Sequence, residues 1–159
     1  MKTIKNVKMM LLFLAFAGLA AACSSDDDSS VDEEYPTINL EETYPQVCSS
    51  LQRGETFTAR IVVDDNQELG SVSIDIHNNF DHHNHSTEVE ECALADKKDP
   101  VDPFTYIKSI PIPKGNDYYV VEQEISIPEE VDTGDYHFMI RVTDAAGWQT
   151  MKGISIKIE

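Results

Sequence analysis

The chain has 159 residues, with 12 Lys+Arg against 29 Asp+Glu and a formal net charge of −17. That length accommodates one domain. The lack of a basic stripe excludes nucleic acid as a partner, because phosphate binding depends on clustered cations, and it disfavours adsorption to an anionic membrane surface for the same reason. A hydrophobic content of 41% is enough for a packed core.

Lys2, Lys5 and Lys8 precede an apolar run from Met9 to Ala22 that ends at Cys23. A basic start, a short apolar stretch and small residues ahead of a cysteine make a secretory signal over residues 1–22. The run is shorter than the roughly 20 residues a spanning helix needs. Its ending, Leu19-Ala20-Ala21-Ala22-Cys23, resembles the bacterial lipobox, although Ala20 sits where Leu is commoner. The resemblance makes Cys23 the lipidated first residue of the mature protein. Ser24-Ser25-Asp26-Asp27-Asp28 resembles the export signal of Bacteroidetes lipoproteins, which implies display on the outer face of the outer membrane. Residues 23–35 are read as the lipidated cysteine and a disordered, solvated acidic tether.

From Pro36 to Glu159 the pattern turns to period-two alternation, the mark of half-buried strands. Expected strands are Thr37–Leu40, Thr56–Val63, Ser71–His77, Thr105–Ile112, Tyr119–Ile127, Tyr136–Thr143 and Gly153–Ile158, with no helix. Seven short strands separated by turn signals predict an all-β, immunoglobulin-like β-sandwich. Asp132-Thr133-Gly134-Asp135-Tyr136 has the spacing of a tyrosine corner at the entrance to the sixth strand. Asp144-Ala145-Ala146-Gly147 reads as the tight turn that follows it. No cysteine falls in that sixth strand, so the core disulfide of antibody domains is not expected.

Segments Pro36–Leu40, Arg53–Phe57, Asp64–Gly70, Ile74–His85 and Gly134–Asp144 together resemble the Bacteroidetes Ig-like lipoproteins that share domain of unknown function 4625. The likeness is most specific at the histidine-rich stretch. It implies an Ig-like sandwich and no particular activity. With Cys23 assigned to lipid, Cys48 and Cys92 remain as an even pair in an oxidising compartment, where a disulfide between them is expected.

Four of the five histidines, His77, His82, His83 and His85, lie within nine residues, and the fifth is His137. Alternation puts His77 with Ser73 and Asp75 on the outward face of the third strand, and His137 with Met139 and Arg141 on the outward face of the sixth. Those two strands are antiparallel neighbours in an immunoglobulin-like sandwich, so His77 and His137 are expected side by side. The loop carrying Asp81-His82-His83-Asn84-His85 leaves from that end and can fold back over them. Expected ligands are His77, His83, His85 and His137, with Asp81 and His82 as alternates, for Zn²⁺, Cu²⁺ or Ni²⁺. The competing reading is a solvated, pH-sensitive surface of imidazoles among Glu88, Glu90 and Glu91.

Asp64, Asp65 and Asp144 at strand ends invite a calcium reading, but capping of turns by Asp is the preferred role. Tyr118, Tyr119 and Trp148 as a sugar-stacking surface rank below ordinary packing. The leading function is a non-enzymatic surface binding module holding a metal ion, with a protein or glycan partner unspecified. The alternatives are a metal-dependent hydrolase with Glu88 or Glu90 as general base, and an accessory subunit of an outer-membrane uptake or adhesion complex.

Overall fold

The computed structural model describes residues 31–88 and 92–159. The signal segment, Cys23, most of the tether and Glu90 lie outside the described residues. A compact unit runs from Asp32 to Glu159 and contains β1 (Thr37–Tyr44), β2 (Ser50–Leu51), β3 (Thr56–Asp64), β4 (Leu69–Asn78), β5 (Tyr106–Pro111), β6 (Tyr118–Ser126), β7 (Gly134–Asp144) and β8 (Gln149–Ile158). The strands form two sheets, ordered β1-β3-β6 and β2-β8-β7-β4-β5. Neighbours are antiparallel except for β2 and β8, which run parallel. This is an all-β sandwich, as the alternation predicts.

The seven expected strands are all present, and an eighth is added. β2 has only two residues and so carries no alternation to read. β8 begins at Gln149 rather than Gly153, and β1 continues to Tyr44 rather than ending at Leu40. The β8 extension pairs with β7 through backbone hydrogen bonds, which need no apolar side chain to declare them, whereas β1 breaks register after Asn39 and rejoins β3 at Tyr44.

The core lies between the sheets. Ala59, Ile61, Val63, Val121 and Ile125 meet Val72, Ile74, Ile76, Phe138, Ile140, Val142, Ile154 and Ile156, all at most 2% exposed. Alternating burial in β4 shows one face on this core and the other toward solvent. β7 departs from it, being buried on both faces from Asp135 to Ile140. Gly153 to Ile156 in β8 is likewise continuously buried. A second layer therefore covers the outer face of the five-stranded sheet near the start of β7.

That layer is the long connection between β4 and β5. Gly153 N–H donates to Thr87 O at 3.0 Å, and Glu88 and Gly153 form an isolated bridge. A Cβ on Gly153 would lie 2.9 Å from Met139 Sδ and 3.1 Å from Glu88 Cγ, so a larger residue there would force these side chains to shift, and glycine lets the connection lie this close to the sheet without that adjustment. Cys48 and Cys92 are bonded, which ties the connection to the segment ahead of β2. Closing a loop across a separation of 44 stabilises the fold by about 4 kcal/mol in chain-entropy terms.

The tyrosine corner forms as its spacing predicts. The Tyr136 hydroxyl donates to Asp132 O at 2.6 Å and accepts from Phe104 N–H at 3.1 Å, with Tyr136 1% exposed. The Asp144 turn also forms, with Gly147 at φ 101°. Removing the hydroxyl by Tyr136→Phe strands a buried N–H and should cost about 1–3 kcal/mol in denaturant unfolding. A change below about 0.5 kcal/mol would show that the corner is incidental to stability.

Candidate metal centre

β4 and β7 pair in a register that sets His77 directly opposite His137. The expectation that both would face solvent holds only in part. His77 is partly exposed, whereas His137 is fully buried beneath the β4–β5 connection. The same connection brings His83 and His85 over the pair. One ligand atom from each of His77, His83, His85 and His137 lies within 4.8 Å of the other three.

The ring geometry is close to a tetrahedron. All six centroid separations fall between 4.7 and 5.6 Å. Four imidazoles bound to one ion through nitrogens at about 2.0–2.1 Å place their centroids about 5 Å apart. His77 Nε2 and His85 Nε2 are 3.1 Å apart, near the roughly 3.3 Å between two nitrogens sharing a tetrahedral ion.

Carboxylates surround this cage. Asp75 Oδ1 is 2.8 Å from His77 Nδ1, and Asp81 Oδ1 is 2.6 Å from His83 Nδ1. Each fixes the tautomer with the proton on Nδ1 and leaves Nε2 free as a donor, the arrangement of carboxylate–histidine–metal triads. The His83 hydrogen bond also holds the Asp81 carboxyl below its usual range. Asp81 thus orients a ligand and is not one itself. His82 turns away, its Nε2 lying 3.0 Å from Ala95 O.

His137 is the most constrained member. Its Nδ1 lies 2.5 Å from Glu88 Oε1, out of line for a hydrogen bond, and both atoms are buried without another partner. Its Nε2 lies 3.2 Å from His83 O. Nε2 thus has an acceptor in line while Nδ1 has an oxygen close by but no hydrogen bond. Burial, the largest influence, pushes the His137 imidazolium down to about 4, and the three neighbouring imidazoles act in the same direction. A neutral ring keeps one lone pair facing into a crowded polar site, which a cation would accept. The donor set therefore fits a transition metal, and its three carboxylates supply compensating negative charge.

Beside the cage, a groove of about 310 Å³ is lined by Asp75, His77, His85, Lys108, Met139 and Arg141 among others. Sequence reasoning placed the four imidazoles but missed the orienting roles of Asp75 and Asp81, although the repeated Asp-x-His spacing at 75–77 and 81–83 signals them. Glu88, expected as a general base, lies against His137, and nothing in its neighbourhood along the chain announces that contact. Of the aromatic trio, Tyr118 and Trp148 are exposed. Tyr119 packs against the core, while Trp148 lies against Tyr35 with ring centroids 4.9 Å apart.

The low value at His137 has a definite sign for stability. The unfolded chain takes up a proton near pH 6.5 and the folded protein only near 4. The metal-free protein should therefore lose stability as pH falls from 6.5 to 4, by up to about 3 kcal/mol. Denaturant unfolding at several pH values, compared with His137→Gln, isolates this contribution. Equal pH slopes in the two proteins would contradict it.

A model of the family described as a domain of unknown function (DUF4625) matches residues 21–159. No curated protein matches the chain. Among solved structures, wild-type OgpA from Akkermansia muciniphila is similar over 79% of this chain and 28% of its own, at 11% identity and a TM-score of 0.48. Spo0M, a sporulation control protein from Bacillus subtilis, is similar over 79% of this chain and 49% of its own, at 11% identity and a TM-score of 0.41. The chain thus spans less than half the length of either. The family match extends through every strand and the whole histidine-bearing connection, and the chain belongs to the family of domain of unknown function 4625.

Proposed function

We propose that this protein is a lipid-anchored, surface-displayed binding module whose four-histidine cage captures a transition-metal ion, zinc foremost. The observation that carries the reading is the near-tetrahedral set of imidazole rings. Tetrahedral nitrogen donors suit Zn²⁺, whereas Cu²⁺ and Ni²⁺ favour square-planar or tetragonal sets. The lipobox-like ending at Cys23 and the acidic stretch behind it support anchoring and display at the outer membrane.

Capture is favoured over hydrolysis for two reasons. Four imidazoles fill a tetrahedral shell, while catalytic zinc keeps a position open for water. Glu88, the described candidate for a general base, is already against His137 Nδ1. Among the described residues, a four-imidazole shell and the placement of Glu88 against His137 thus support capture rather than metal-assisted hydrolysis.

Calorimetric titration of the metal-stripped full chain should show one Zn²⁺ bound with micromolar or tighter affinity, lost in the His77→Ala/His137→Ala double variant. Asp75→Asn removes no ligand but releases the His77 tautomer, and should weaken zinc about 10- to 100-fold. Absence of zinc binding would overturn the metal-capture reading and leave His77, His83 and His85 as a partly solvated polar surface, favouring a protein or glycan partner such as an uptake or adhesion complex. Turnover of ester, phosphate or glycan substrates by the zinc-loaded protein would overturn the non-enzymatic reading.

A further inference from the structure

At the opposite end of the sandwich, three carboxylates converge. Asp65 follows β3, Asp144 closes β7, and Asp32 precedes β1. One oxygen of each lies within 4.8 Å of the other two, and all three residues are buried. Asp64, the exposed neighbour of Asp65, takes no part.

Turn capping, the role favoured from sequence, accounts for one oxygen of Asp65 and one of Asp144. Asp65 Oδ2 accepts from Gln67 N–H at 3.0 Å and Glu68 N–H at 2.9 Å. Asp144 Oδ1 accepts from Gly147 N–H at 2.6 Å and Trp148 N–H at 2.8 Å. The remaining oxygens, Asp65 Oδ1 and Asp144 Oδ2, are buried with no partner at all, in residues 7% and 4% exposed. Asp32 Oδ1 accepts from Glu34 N–H and Asn66 Nδ2. Among the described residues no lysine, arginine or histidine pairs with any of the three.

Buried, unpartnered carboxylate oxygens are costly, and three converging like charges add mutual repulsion. A cation at their centre removes both costs. We propose that Asp32, Asp65 and Asp144 form a second cation site, for a hard divalent ion of the calcium class, that fastens the segment entering β1 onto this end of the sandwich. An all-oxygen donor set selects hard cations over the transition metals suited to the imidazole cage. Calcium–oxygen bonds of 2.3–2.6 Å let two ligands on opposite sides of the ion lie about 4.8 Å apart. Calcium accepts irregular geometry and completes its shell with water, whereas magnesium demands a near-ideal octahedron at shorter distances. Asp32 ties this site to the incoming chain, because its carbonyl accepts from the Trp148 indole N–H at 2.9 Å and Tyr35 lies against the same ring.

Trp148 is the only tryptophan in the chain, so its emission reports on this site directly. The test titrates the chelator-stripped full chain with CaCl₂, and in parallel with MgCl₂, following tryptophan fluorescence and thermal unfolding. Calcium at about 5 mM should produce a saturable change in emission and raise Tm by about 5 °C, with a smaller response to magnesium. Asp144→Asn and Asp65→Asn keep an oxygen for the turn caps but remove charge, and each should weaken the calcium response at least tenfold. Asp64→Asn should leave it unchanged. No saturable response in the unmodified chain overturns the proposal, as does an equal response in all three variants, which would reflect general screening of an acidic surface.

Discussion

The β4–β5 connection must return across the outer face of its own sheet, and the site depends on that return. The connection cannot hold there by hydrophobic packing alone, because its histidine-rich part is polar. It is fastened instead at discrete points: the Cys48–Cys92 bond, the backbone hydrogen bond from Gly153 to Thr87, and Ala95 N–H donating to Asp135 Oδ2 at 2.7 Å. The ladder between β4 and β7 fixes His77 and His137 relative to each other, and the connection supplies His83 and His85. Rigid strands thus provide half of the cage, and a cross-linked loop provides the other half.

The electrostatics of the two ends of the sandwich are complementary in kind. Near the start of β7, imidazole nitrogens gather beside three carboxylates, of which Asp75 and Asp81 orient His77 and His83. At the far end of β7, carboxylate oxygens themselves converge. His137 and Asp144 lie seven residues apart along β7, about 24 Å at about 3.4 Å per residue, so the two groups are separate sites of different chemical softness. Each place holds buried polar atoms without a partner, His137 Nδ1 and Glu88 Oε1 at one and Asp65 Oδ1 and Asp144 Oδ2 at the other, and such atoms are costly. An acidic chain of net charge −17 favours accumulation of cations near either end.

Much of this was legible in the sequence because strands announce themselves by period two. The alternation through Val121–Ile127 and Tyr136–Val142 identifies faces as well as strands, and the face assignment predicts the His77–His137 pairing. The tyrosine corner and the Asp144 turn were legible because each is set by local spacing. What escaped was non-local. The burial of His137 results from a segment more than fifty residues away, to which its own strand gives no clue. The contact of Glu88 with His137 arises from how the connection lies against Gly153, whose role needs the three-dimensional approach of Met139 and Glu88 to become visible. Asp32 sits within an acidic stretch that reads as tether, and its burial depends on Trp148, over a hundred residues later.

X-ray absorption at the zinc edge of the zinc-loaded full chain tests most directly whether four imidazoles surround one ion. The expected spectrum shows four nitrogen scatterers at about 2.0 Å with the multiple-scattering pattern of imidazole rings. A first shell dominated by oxygen, or one with two or fewer imidazoles, would contradict it.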